Sequence, residues 1–166
     1  MIAYRVTDVK KCMNELLCKD TFDFFLLQEA TINTFSTFSI DGHRLDDFFS
    51  DAELEEIDEE DVLMPYELFR EWCYNIIKGK KVPLNFQIIL SLPKRVIRQI
   101  IAAGDISMDD SGAHLVAIYR FIDGNLTITT GTSMQEFTLD KSLEHAYDKW
   151  MFDFLTSVGI DIDKML

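Results

Sequence analysis

A chain of 166 residues that is 48% apolar and carries thirteen Phe has enough hydrophobic mass to fold as one domain, which excludes a wholly disordered chain. Its formal charge of −13 repels nucleic-acid phosphates and anionic membrane surfaces, so binding to either is disfavoured from the outset. The longest strongly apolar stretch without charge, Val82 to Pro93, is twelve residues, short of the about 20 that a membrane-spanning helix needs, and the first residues lack the apolar run of a signal peptide.

In chain order, residues 2–5 read as a short strand. Asp8 to Leu17 places Val9, Cys12, Met13, Leu16 and Leu17 on one helical face, with Thr7 or Asp8 as the cap. Phe22 to Ile40 has no Gly or Pro and predicts two strands, about 22–29 and 31–40, bending near Ala30; Asp41-Gly42 then reads as a turn. Ser50 and Glu53 form a capping box, flanked by Phe49 and Leu54 at the staple positions, so a short helix is expected over about 51–58 with fraying at Glu59, Glu60 and Asp61.

Pro65 opens a helix over about 65–78 whose stripe is Leu68, Phe69, Trp72, Cys73, Ile76 and Ile77, complemented by Lys78 and stopped by Gly79. Leu84 to Leu90 alternates as a half-buried strand. A third helix runs from Pro93 to Gly104, with Val96, Ile97, Ile100 and Ile101 inward. Residues 105–113 form a polar loop. His114–Ile122 and Asn125–Thr130 flank Asp123-Gly124, a hairpin signal, and Met134–Thr138 adds a strand. Asp140–Val158 is the longest helix, burying Leu143, Ala146, Tyr147, Trp150, Met151, Phe154, Leu155 and Val158. Paired strands among helices without βαβ alternation predict an α+β fold. The expectation is a mainly antiparallel sheet of about five to six strands with three to five helices, in a single domain over 1–166.

The charge is segregated. Residues 46–61 hold ten carboxylates and no Lys or Arg; residues 72–104 hold six Lys/Arg and no acid. The basic residues Lys78, Lys80, Lys81, Lys94, Arg95 and Arg98 can make one patch, with Trp72, Tyr74 and Phe86 as stacking candidates for a phosphate or nucleic-acid ligand. Helix-end complements and solvated faces are the commoner use of such charges, and the 46–61 segment is itself an available acidic partner.

Motifs for chemistry are sparse. The start of the last helix gathers Asp140, Lys141, Glu144 and His145, a set able to move a proton, with Lys141, His145 and Asp148 or Lys149 on a polar face. Asp41 and His43 are half of a catalytic pair. Residues 105–112 resemble a calcium loop but have Asp110 where Gly is needed and Val116 where Glu is needed. Residues 130–133 (TGTS) have the look of a phosphate turn but lack a following Lys, so a turn between strands is expected. Three scattered His and no Cys pair leave no metal site, and no motif calls for a cofactor. Cys12, Cys18 and Cys73 form no CxxC; Cys12 and Cys73 lie on apolar faces, as buried free thiols of a reducing cytoplasm do.

Four blocks together, Asp20–Asp23 (DTFD), Thr34–Gly42 (TFSTFSIDG), Thr130–Ser133 (TGTS) and Phe137–Asp148 (FTLDKSLEHAYD), resemble in the same order a small family of bacterial proteins catalogued only as a domain of unknown function. The family pattern has Trp at the position of Tyr147, another large amphipathic aromatic. The resemblance implies a bacterial cytoplasmic protein and carries over no site residues. The leading functional expectation is a non-enzymatic protein that binds another protein, or itself, through its acidic (46–61) and basic (78–98) surfaces. The alternatives are an enzyme of unrecognised type at the start of the 140–158 helix, and phosphate or nucleic-acid binding by residues 78–98.

Overall fold

Alternation decides the sheet. Along residues 86–90 and 113–121 every second residue is apolar, and each such residue lies in one continuous core. The computed structural model of the chain describes residues 1–57, 60–110 and 112–165. Its elements are β1 (Ala3–Val6), α1 (Val9–Leu17), β2 (Leu26–Asn33), β3 (Thr37–Asp41), α2 (Asp51–Glu56), α3 (Arg70–Ile77), β4 (Asn85–Ser91), α4 (Lys94–Ala103), β5 (Ala113–Ile122), β6 (Asn125–Met134), α5 (Ser142–Ser157) and β7 (Ile162–Lys164), with 3-10 turns at Asp46–Phe48 and Tyr66–Leu68. The strands make one sheet in the order β3-β2-β4-β5-β6-β1-β7, with every neighbouring pair antiparallel. Among the described residues the fold is α+β, as expected, with seven strands rather than five to six and five α-helices. Among the described residues no helix is long and apolar enough to cross a membrane.

One face of the sheet is covered. Ala30 and Ile32 of β2, Phe86, Ile88 and Leu90 of β4, Leu115 to Phe121 at alternate positions of β5, and Leu126 and Ile128 of β6 are buried beneath Cys12, Leu16, Cys73, Ile97, Tyr147 and Met151 of the helices. Burying one such Leu or Ile fully contributes roughly 1.5–3 kcal/mol, so this layer dominates stability. On the opposite face Thr31, Gln87, Ile118 and Thr129 are all short of burial, which leaves that face open. Phe22 and Phe25 enter the core from a turn, stacking edge-on and tilted against Tyr119 and Phe154.

Local signals held where the determinant was local. Asp8 caps α1 by accepting from Lys11 N, and Ser50 and Glu53 close their capping box at 3.2 and 3.4 Å. Asp123 (φ 52°) and Gly124 (φ 78°) make the β5–β6 turn with two left-handed residues, as a primed hairpin turn requires.

Several expectations are corrected. Ala30 is no bend: it is buried mid-strand in β2, and the chain turns at 34–36, where Thr34 N donates to Ser36 O. Gly42 is not a turn residue. It continues along β2, donating to Gln28 O, and a Cβ there would lie 1.8 Å from the Leu27 carbonyl oxygen. The helix expected over 65–78 begins as a 3-10 turn and becomes α-helical only at Arg70; its stripe is broken, because Leu68 and Trp72 are exposed. Residues 130–133 are not a turn but the continuation of β6, where Gly131 faces Val116 so closely that a Cβ would meet its side chain at 2.8 Å. Residues 135–138 add no strand, and Phe137 is exposed. The acidic helix ends at Glu56. Glu59 lies outside the described residues, whereas Glu60 is tied to Arg98 and Asp61 to the Lys94 amide.

Candidate functional site

The basic residues divide between the two ends of β4. Lys78, Lys80 and Lys81 precede it and Lys94, Arg95 and Arg98 follow it. Seven residues of strand separate the groups by roughly 20 Å, so they do not form one patch. The second group is largely consumed internally. Arg98 donates to Glu60 (2.8 Å) and Asp110 (3.0 Å), and Lys94 donates from Nζ to the carbonyls of Ala113 (2.8 Å) and Asp110 (3.1 Å). The Lys94 amide faces an Asp61 carboxylate oxygen at 3.3 Å. Arg95 lines an acidic cleft of about 740 Å³ with Asp20, Asp23, Glu56, Asp61 and Glu67. Arg98 is held above the ordinary guanidinium range, first by its hydrogen bond to Glu60.

The first group is different. Helix α3 stops at Ile77 because Lys78 turns extended (φ −65°, ψ 141°), and residues 78–84 cross the surface as a loop to β4. Against this loop stands the β2–β3 turn. Its geometry comes from Asn33, whose Nδ2 donates to Asn85 Oδ1 (2.7 Å) while its Oδ1 accepts from Thr37 Oγ1 (2.7 Å); Leu84 N donates to Asn33 O at 2.9 Å. These bonds hold Phe35, 93% exposed, edge-on to Phe38 at 5.6 Å. Between turn and loop lies a groove of about 800 Å³. Ile76, Ile77 and Phe38 line it, as do the exposed Phe35, Val82 and Leu84. Lys78, Lys80 and Lys81 collar it, and among the described residues no ion pair engages any of them. Lys78 Nζ stands 5.2 Å over the Tyr74 ring. Of the stacking candidates Trp72 is exposed, but Phe86 is a core residue stacked on Phe121 at 5.3 Å.

The polar set at the start of α5 is used for structure. Asp140 Oδ1 accepts from Ser142 N (2.9 Å) and Oγ (2.6 Å), and these bonds, the hydroxyl's first, hold its carboxyl below the usual range. Glu144 accepts from the α-amino group of Met1 (2.6 Å) and from Lys141 (3.2 Å), which lower it in that order. Asp148, expected on a solvated face, is buried: its Oδ1 accepts from Thr130 Oγ1 (2.5 Å) and its Oδ2 meets the α-amino group at 3.3 Å. His145 is exposed, and neither groove includes it. Asp41 and His43 do point at each other. Asp41 Oδ1 accepts from the His43 amide (2.9 Å) and meets Nδ1 at 2.6 Å, and the amide and then the ring hold its carboxyl low on open surface. Among the described residues no group of three or more His, Cys, Asp or Glu is placed to hold a metal ion. Cys12 and Cys73 are buried and free, Cys18 exposed and free; burial pushes the Cys12 thiol up to about 12 and Cys73 to about 11.

Sequence reading found the groove's lysines but not its floor. Phe35 and Phe38 lie more than forty positions upstream of Val82. The available signal was the exposed pair Val82 and Leu84 around Pro83, apolar residues in a lysine-rich loop.

A family model described as a family of unknown function (DUF5721) matches residues 15–163. No curated protein and no solved structure matches the chain.

Proposed function

The chain belongs to DUF5721, a family of unknown function, and we propose that it works by binding rather than by catalysis: its groove between Phe35 and Lys78–Leu84 seats an acidic segment of another protein molecule that carries an apolar tip. The observation that carries this reading is the collar of three lysines without ion-pair partners, among the described residues, around an apolar groove, in a protein of net charge −13. Against that overall charge the three lysines form a local cationic cluster. Around an apolar floor they complement a ligand that is both anionic and hydrophobic. The apolar contact supplies burial, and the charges supply orientation and encounter rate. Nucleic acid fits less well, because its phosphates meet the whole protein's negative field.

The test is fluorescence anisotropy with the full chain and a labelled Asp/Glu-rich peptide containing Phe. Binding is expected to weaken as salt rises to ~0.5 M, to weaken when Phe is replaced by Ser in the peptide, and to disappear in the Lys80→Glu/Lys81→Glu variant. Tighter binding of a single-stranded oligonucleotide than of the peptide, or equal binding by the variant, overturns the reading.

A further inference from the structure

Strand β3 is an edge of the sheet, and it is unguarded. Its five residues, Thr37 to Asp41, include no Lys, no Pro and no bulge, the usual devices that keep an edge from pairing. The opposite edge, β7, is only three residues long and ends on Lys164. The groove adjoins one end of β3, through Phe35 and Phe38. From the other end the chain runs on through Gly42, His43 and Arg44, paired with Val62 to Met64, into the acidic segment.

That segment has the composition the groove calls for. Between Leu45 and Glu56 it holds six carboxylates, with Leu45 and Phe48 exposed, Phe48 at 83% and edge-on to Phe49 at 5.3 Å. It is also held in shape. Arg44 grips Asp46 at 2.6 Å and the Asp61 carbonyl at 2.8 Å, the capping box closes α2, and Glu60 is tied to Arg98. A segment ordered before binding loses less entropy on docking. In its own chain it lies away from the groove, with Glu56 and Ile57 beside Pro93 and Arg95 at the opposite end of β4.

We infer that the groove's occupant is residues 45–56 of a second copy of this chain, delivered there by antiparallel pairing of the two β3 edges about a two-fold axis near Ser39. Resting on the groove as a binding surface for acidic segments, the arrangement follows from the order groove–β3–acidic segment. A two-fold through the middle of β3 reverses that order in the partner and sets each acidic segment against the other copy's lysines. Both contacts close at once, so the dimer is isologous and self-limiting, and each contact raises the effective concentration of the other. Edge pairing supplies backbone hydrogen bonds, and the groove and charges fix the register. Across the axis Asp41 comes opposite Thr37, so no like charges meet in the shared ladder.

The experiment combines sedimentation equilibrium with crosslinking. The full chain should reach twice its chain mass at low salt and shift toward monomer at ~0.5 M salt. Lys80→Glu/Lys81→Glu (groove) and Phe48→Ala/Glu55→Lys (segment) change only exposed residues, and each should weaken dimerisation at least tenfold. In a Cys18→Ser background, Ser39→Cys should form a disulfide-linked dimer on mild oxidation, because directly opposed residues of paired strands approach to about 4.5–5.5 Å. The Cys18→Ser chain without that cysteine should form none. A chain that stays monomeric up to about 1 mM, variants that dimerise like the parent, or Ser39→Cys that fails to crosslink overturns the inference. In each of those cases the acidic Phe-containing peptide separates the two claims. If it still binds the parent and not the groove variant, the groove reading stands without self-association; if it does not bind, both fall.

Discussion

Arg98 Nη2 donates to Glu60 Oε2 at 2.8 Å, joining α4 to the base of the acidic segment. The pair removes one cation from the apparent basic patch and fixes the far end of a segment whose near end is held by Arg44 and Asp46. Because both partners are largely exposed, the tie orders the segment more than it stabilises the protein. Arg98→Glu is expected to raise hydrogen-exchange rates of the 51–56 amides severalfold while leaving the denaturant midpoint nearly unchanged. Unchanged exchange across α2 would show that the segment is held without Arg98.

Gly42 and Gly124 separate two reasons for glycine. At Gly42 a Cβ would lie 1.8 Å from a backbone oxygen that cannot yield, so Gly42→Ala should cost about 3 kcal/mol or more. At Gly124 there is open space and only the left-handed φ of 78°, so Gly124→Ala should cost about 1–2 kcal/mol. Urea unfolding of both variants checks the order; equal losses contradict the close approach at Leu27.

Glu15 gives a pH dependence with a definite sign. Its buried carboxylate accepts from Lys19 Nζ (2.8 Å) and from Thr21 Oγ1, and these bonds, that of Lys19 first, hold it below the ordinary glutamate range. A folded-state value below the unfolded one means that the stabilisation is fully present above the unfolded value of about 4.3. It is lost as pH falls through the folded value. Glu15→Gln should flatten the stability curve on the acid side of that value and leave its slope near neutrality unchanged. The same acid slope in both proteins would assign the loss to other carboxylates.

Trp72 is 66% exposed although its spacing placed it on the buried stripe. Trp72→Ala should change stability by no more than about 0.5 kcal/mol, whereas a buried Trp would cost about 3–5. Thermal or urea denaturation distinguishes the two outcomes directly.

What the sequence made legible was what neighbours in the chain decide. The Asp123-Gly124 turn, the Ser50–Glu53 capping box and the Pro93–Gly104 limits of α4 all stand as read, because each depends on residues within a few positions. The β2–β3 turn was not legible. It has no Gly or Pro and is set by Asn33 bonding to Asn85, fifty-two positions away. Thr130 and Asp148 read as a turn residue and a solvated acid, and only the packing of α5 on β6 turns them into a buried hydrogen-bonded pair. Charge segregation was visible at once, but segregation along a chain is not segregation in space. Strand β4 carries half the basic run to the acidic end, where Arg98 is ion-paired and Lys94 is bonded to carbonyls, and leaves the groove's three lysines at its other end without ion pairs among the described residues.

Amide chemical-shift mapping of the full chain titrated with the acidic Phe-containing peptide tests the groove most directly. The largest perturbations are expected at Phe35, Phe38, Ile76 and Lys78 to Leu84, with α4 and the start of α5 unmoved. Perturbations centred on Lys94–Arg98 or on Lys141–His145, or none at saturating peptide, would contradict it.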